Sequence, residues 1–236
     1  MLQKNNISNV FHYAPLHYLV FIFRAQKLLS KGRLSEAGFM ENHFRSTSRR
    51  QDHLRGFNDY IHLSIDPRPR ILLAKLKSGF PHFEIDIPTS LIEKKEFHLC
   101  RFNIAKARYF VGAKQAPIES DKNGKYYGDR ALPIAVSDEE KNNLIIHNYG
   151  KNMIEVLVPD ELKLTNGITI RVFSQHDYDL AERVCNAIGF QWNLELDDMG
   201  AEYSENEKYK SSVTDFLNES LKNHNWYGNG LEFDRV

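Results

Sequence analysis

Short runs of β-branched and aromatic residues, closed by prolines or polar turns, do most to limit how this chain can fold. Val10-Phe11-His12-Tyr13 is closed by Pro15, and Tyr60-Ile61-His62-Leu63-Ser64-Ile65 meets Asp66-Pro67-Arg68-Pro69. Proline lacks an amide hydrogen and pushes the residue before it out of helical space, so each run reads as a strand with a defined end. Residues 83–87, 155–158 and 168–173 have the same character, and a further strand is expected over 144–147. Helical spacing is scarcer. Leu19, Ile22, Phe23, Leu28 and Leu29 recur at helical intervals within 16–30, with Gly32 as the stop. Leu180, Val184 and Ile188 line one side of 177–188, and a last helix is expected over 211–223. The chain therefore reads as mixed α and β.

One of these strands contains a carboxylate. In Ile154-Glu155-Val156-Leu157-Val158-Pro159, alternation puts Glu155, Leu157 and Pro159 on one face and Ile154, Val156 and Val158 on the other. A glutamate in a strand ordinarily reaches water or pairs with a basic neighbour, because burying it alone is costly. The strand by itself leaves open whether Glu155 is such a residue or a functional one.

Composition excludes several function classes. The 236 residues, 42% hydrophobic and 26% charged, suit one large domain or one domain with an appendage. The expected division is 1–193 as the folded domain and 194–236 as an acidic linker over 194–208 followed by the C-terminal helix. Lysine plus arginine equal aspartate plus glutamate at 31 each, so no overall basic field points to nucleic acid. Cys100 and Cys185 lack a paired spacing, which argues against a disulfide framework or a cysteine zinc site and makes a reducing cytoplasm the expected compartment. The apolar run 19–23 is far shorter than the ~20 residues that span a bilayer, so no membrane association is expected. There is no Gly-x-Gly-x-x-Gly turn, P-loop or His-Glu-x-x-His. His43, Asp52 and His53 lie with Glu41 on a polar, arginine-rich segment, 31–58, read as a long loop with room for one or two helical turns, and no metal is expected there.

Between Arg101 and Lys125 basic residues interleave with aromatic ones. Lys106, Arg108 and Lys114 stand near Tyr109 and Phe110, with Tyr126 and Tyr127 following. Cationic side chains bind phosphates and aromatic rings stack on bases, so this stretch suits a single-stranded nucleic acid. Solvated surface lysines give the same composition.

Four segments then occur in order: Phe11-His12-Tyr13 with a following helix ending Lys27-Leu28-Leu29, the run Ser48-Arg49-Arg50, the strand from Asp59 to Pro67, and Glu155-Val156-Leu157-Val158-Pro159. Together they resemble the DarT-type ADP-ribosyltransferases, toxins that transfer ADP-ribose from NAD onto bases of DNA. The resemblance implies an α+β fold of split antiparallel β-sheets with peripheral helices and an NAD cleft. It implies NAD as substrate, with His12 on an NAD ribose, Tyr13 and Ala14 beside it, and Tyr60 as a wall for nicotinamide. Glu155 becomes the catalytic carboxylate, and one of Arg49 and Arg50 meets the pyrophosphate or the acceptor base. The implied acceptor is a base, in single-stranded DNA, and the implied neutralising partner is a macrodomain antitoxin. Gln26 stands where glycine is usual, Ser64 where an aromatic is common, and Ala14-Pro15 where the family is more polar. Two other readings stay open: a nucleic-acid-binding module on the same fold without turnover, and a transferase acting on RNA or protein.

The chemistry gives Glu155 a reason. Breaking the nicotinamide glycosidic bond builds positive charge on the ribose, as in glycoside cleavage, and a fixed carboxylate beside that ribose would stabilise it and orient the acceptor.

Overall fold

The computed structural model describes residues 1–36, 57–100, 134–150, 154–165, 167–189, 192–200, 203 and 206–222. The chain divides into two compact units. One comprises Met1–Val10, Leu29–Asp66 and Thr89–Leu162, and the other Phe11–Leu28, Pro67–Pro88 and Lys163–Val236. In chain order the elements are β1 (Asn9–Pro15), α1 (Leu19–Ala25), β2 (Lys27–Leu29), α2 (Lys31–Glu36), β3 (Tyr60–Ser64), α3 (Arg70–Lys77), β4 (His82–Pro88), α4 (Thr89–Ile92) and β5 (His98–Cys100). There follow β6 (Ile134–Ala135), α5 (Asp138–Asn148), β7 (Glu155–Pro159), β8 (Glu161–Lys163), β9 (Thr169–Val172), α6 (Gln175–Ile188), β10 (Asn193–Leu196) and α7 (Glu207–Lys222). The fold is α+β, and β1, β3, β4, β7 and β9 lie where alternation puts them.

Four expectations need correction. The helix expected over 16–30 is one turn of 3-10 helix followed by α1, which stops at Gln26 in the left-handed region at φ 50°, ψ 29°. Residues 27–29 are strand instead. Leu19 to Phe23 are all buried, so the apolar pattern carried no information about where the helix ends. The strand expected over 144–147 is the last part of α5. Ser137 accepts from the Glu140 amide while the Glu140 side chain accepts from the Ser137 amide, a capping box that starts a helix. Helical geometry then buries Lys141, Ile145 and Asn148 and leaves Ile146 60% exposed. Third, the segment read as acidic linker begins with a strand: Asn193 to Leu196 pair in parallel with Thr169 to Val172. The last helix also starts earlier than expected, at Glu207.

In the first unit the strands run β3-β7-β5-β6, each antiparallel to its neighbour. Thr89, at the start of α4, is tied to the N-terminal stretch: its Oγ1 donates to the Ile7 carbonyl at 2.9 Å.

In the second unit β9 lies between β10 and β4, antiparallel to β4. The centre of this sheet is an ionic knot. Arg171 on β9 makes a two-bond fork with Asp86 on β4, both at 2.9 Å, and also donates to Glu84 at 3.0 Å. Glu84 is fully buried and additionally accepts from the Arg68 amide at 2.7 Å. Burial pushes its carboxyl up to about 6, against the opposing pull of the Arg68 amide. Phe216 of α7 packs against the rings of His17 and Phe21, while Arg24 donates to the Ser220 carbonyl at 3.2 Å. No helix among the described residues is long and apolar enough to cross a membrane.

Candidate active site

The strand register of the first unit decides which side chains share a face. Glu155 of β7 stands opposite Ser64 of β3 and Cys100 of β5. Leu157 stands opposite His62 and His98, and Pro159 opposite Tyr60. Directly opposed residues project to the same side of a sheet. Tyr60, His62, Ser64, His98, Cys100 and Glu155 therefore lie on one face. The other carries Ile61, Leu63, Leu99, Val156 and Val158, all nearly or fully buried. A polar row thus faces away from an apolar core.

Glu155 is not at a wet strand end. It is 6% exposed, and Val156, Leu157 and Val158 are also buried, so the strand is covered on both faces rather than on one. Beside the carboxylate Phe57, Cys100 and Leu157 form a small apolar cluster, with Tyr60 and Ile134 packed against it. Among the described residues a histidine lies beside the charge: His62 Nδ1 is 3.3 Å from Glu155 Oε1. The other ring nitrogen, Nε2, lies 3.3 Å from the Phe57 carbonyl oxygen. Ser64, directly across from Glu155, donates to the Asp66 carbonyl at 2.8 Å and accepts from the Asp66 amide at 3.1 Å, so the hydroxyl closes the turn that ends β3.

Tyr60 sits at the other end of the row, its ring tilted against Phe57 and His98 at 5.6 and 5.7 Å between centroids. Burial, and then the negative charges of Glu96, Asp59 and Asp160, push its phenol above the ordinary value. It therefore keeps its proton and presents an O–H and an aromatic face.

Of the other expected site residues, His12, Tyr13 and Ala14 follow one another on β1, in the second unit. Alternation sends His12 and Ala14 to one face and Tyr13 to the other, where Tyr13 packs against Leu72, Leu76 and Phe173. His12 is half-buried and Ala14 buried. Arg49, Arg50, Lys106, Arg108 and Lys114 lie outside the described residues. Among the described residues no group of histidine, cysteine, aspartate and glutamate has the geometry to hold a metal ion. His62 was missed in the sequence. Its only signal was the period-2 spacing Tyr60-x-His62-x-Ser64, and its partner became visible only through the register with β7.

The molecule is similar to Thermus sp. 2.9 DarT in complex with ADP-ribosylated ssDNA, with a TM-score of 0.53 and 13% sequence identity, covering 84% of this chain and 97% of that one. The fold is DarT-like. Similarity extends to Thermus sp. 2.9 DarT in complex with NAD+, with a TM-score of 0.49 and 14% identity over 84% of this chain and 98% of that one. It extends also to Thermosipho africanus DarTG in complex with ADP-ribose, with a TM-score of 0.49 and 12% identity over 81% of this chain and 50% of that one. No protein-family model matches the sequence, and no curated protein matches it.

Proposed function

We propose that the chain is an NAD-dependent ADP-ribosyltransferase that modifies a base in single-stranded DNA and releases nicotinamide, in a toxin or defence role. The observation that carries this reading is the buried Glu155 carboxylate on a rigid strand, in one polar row with Tyr60 and His62, within a DarT-like fold. On this reading Glu155 stabilises the charge that develops on the ribose as the glycosidic bond breaks, and orients the acceptor. Tyr60 offers a ring for nicotinamide to stack on, and its proton remains available for a hydrogen bond. His12, with Tyr13 and Ala14 beside it, belongs to the NAD-binding segment. One of Arg49 and Arg50 acts on the pyrophosphate or the acceptor base, since a guanidinium fork matches either. Lys106, Arg108 and Lys114 hold the strand through its phosphates. A macrodomain antitoxin is the partner that this reading expects.

The test incubates the purified chain with NAD and, separately, single-stranded oligonucleotides, RNA and protein, following nicotinamide release and locating ADP-ribose by mass spectrometry. The expected result is base-linked ADP-ribose on DNA, with turnover falling ~10²-fold or more in a folded Glu155→Gln variant, which keeps the shape and loses the charge. Full turnover in that variant would remove Glu155 from the chemistry. ADP-ribose found only on RNA or protein would move the acceptor.

A further inference from the structure

We infer that His62 is the positioning residue of this site: it holds the Glu155 carboxylate as an oriented ion pair, anchored in turn by the Phe57 carbonyl. The inference rests on Glu155 being the catalytic carboxylate proposed above.

With Glu155 taken as ionised, the contacts constrain the protons of the ring. A carbonyl oxygen only accepts hydrogen bonds, so the contact between His62 Nε2 and Phe57 O, 3.3 Å, requires the hydrogen on Nε2. A neutral imidazole would then turn the lone pair of Nδ1 toward Glu155 Oε1, 3.3 Å away, setting one acceptor against another. The two contacts are made together when both ring nitrogens carry hydrogen and the ring is a cation. Its partner is a carboxylate whose side chain is only 8% exposed, and the ring itself is 16% exposed. In such surroundings an ionised carboxylate is tolerated when a counter-charge and a hydrogen bond meet it together. His62 supplies both from a neighbouring strand, and the backbone of Phe57 keeps the ring from rotating away.

The consequence for the reaction is positional. The ring directs Oε1, so the carboxylate is already oriented before substrate arrives and little reorganisation is required when positive charge appears on the ribose. Other titratable groups face the pair from the strands packed around it: Tyr60 on β3, and His98 and Cys100 on β5. Tyr60 keeps its proton, held by burial and by the charges of Glu96, Asp59 and Asp160. Among the described residues His98 is the other histidine on this face, and the test includes it.

The full chain is prepared as wild type and as His62→Ala, His62→Asn, His98→Gln and Glu155→Gln. Two readouts are taken. Imidazole nitrogen NMR follows the His62 ring through a pH titration without any substrate. Nicotinamide release from NAD, with a mixed-sequence single-stranded oligonucleotide as acceptor probe, gives kcat and KM across pH. The expected NMR result is a His62 ring protonated on both nitrogens, whose titration midpoint falls by about one pH unit in Glu155→Gln. The expected kinetic result is a fall in kcat of ~10- to ~100-fold in His62→Ala with the KM for NAD unchanged. His62→Asn, which returns an N–H near the Nδ1 position, should recover part of that loss. It should also erase the alkaline limb of the wild-type pH profile, whereas His98→Gln should keep that limb.

An unchanged kcat in His62→Ala, or a His62 midpoint indifferent to Glu155→Gln, overturns the inference while leaving Glu155 as the catalytic group. A Glu155→Gln protein that turns over like the wild type, or a wild type that releases no nicotinamide, overturns the proposed function and the positioning role with it. The NMR midpoint then still reports whether the ion pair exists, so the two failures are told apart.

Discussion

Two buried titratable residues on β4 pull the acid stability of the second unit in opposite directions, and separating them tests the packing described above. His82 is 4% exposed, contacts the Phe80 carbonyl through Nδ1 at 2.8 Å, and is held by burial at a value of about 4 instead of 6.5. As pH falls below 6.5 the unfolded chain takes up this proton before the folded one does. The stability contributed by His82 is thus present above 6.5 and lost as pH falls toward 4. Glu84 behaves conversely: burial raises it from 4.5 to about 6, so the folded chain takes up its proton first. Its contribution is present below 4.5 and lost as pH rises through 6. At about 1.4 kcal/mol per pH unit, acidification from pH 7 to pH 4 costs ~3 kcal/mol through His82 and returns ~2 kcal/mol through Glu84. Neither residue is a cause of the other's displacement, so the two contributions should add. Urea unfolding of wild type, His82→Asn and Glu84→Gln at both pH values checks this. The asparagine keeps a donor for the Phe80 carbonyl, and the glutamine keeps an acceptor for the Arg68 amide. Relative to wild type, Glu84→Gln should lose ~2 kcal/mol more on acidification and His82→Asn ~3 kcal/mol less. Comparing pH dependence within each protein cancels any fixed cost of the substitution. Equal acid slopes in all three proteins would refute the reasoning.

Gln26 holds a left-handed conformation at φ 50° and its carbonyl accepts from the Leu164 amide at 2.8 Å, so the turn is needed but the side chain strains it. Gln26→Gly should raise stability by ~0.5–1 kcal/mol in urea unfolding, the relief of left-handed strain exceeding the extra flexibility of the unfolded chain. Ser137→Ala should cost ~1 kcal/mol by removing the oxygen that caps α5, with the helical circular dichroism signal lost earlier on heating.

Strands were legible in this sequence wherever a proline or a polar turn ended an alternating run, as at Pro15 and at Asp66-Pro67. What misled was local composition without its punctuation. Leu144-Ile145-Ile146 reads as strand by residue type, but Ser137 and Glu140, seven and four residues before Leu144, had already committed the chain to a helix. The end of α1 was hidden for another reason: five consecutive buried residues, Leu19 to Phe23, show no stripe, and the signal that terminates the helix is a glutamine in a conformation that favours glycine. In the candidate site Glu155 stood out as a carboxylate within a strand, and its role and that of Tyr60 were expected from the resemblance of their strands to those of a known family. His62 could not be singled out, because an imidazole two residues along a strand gains a partner only when the register with a distant strand is known.

The two most buried glutamates of the described sheets separate structural charge from charge suited to chemistry. Glu84 is met by Arg171, which is cationic at every pH at which the protein folds, and by the Arg68 amide. Such a carboxylate is fixed by donors on both oxygens and by a partner that never changes charge, which suits a knot between strands. Among the described residues Glu155 faces His62, the one kind of side chain whose ordinary titration falls near neutrality. A counterion of that kind stabilises the carboxylate while remaining responsive to the proton balance of the site. A buried glutamate held by arginine is most simply an element of stability, whereas one beside a histidine, in a row with a protonated tyrosine, has a setting that suits the chemistry proposed for it. Replacing His62 by a permanent cation would therefore be expected to preserve the charge on Glu155 and still impair turnover, because a longer side chain cannot keep both the Phe57 anchor and the Oε1 contact that orient it.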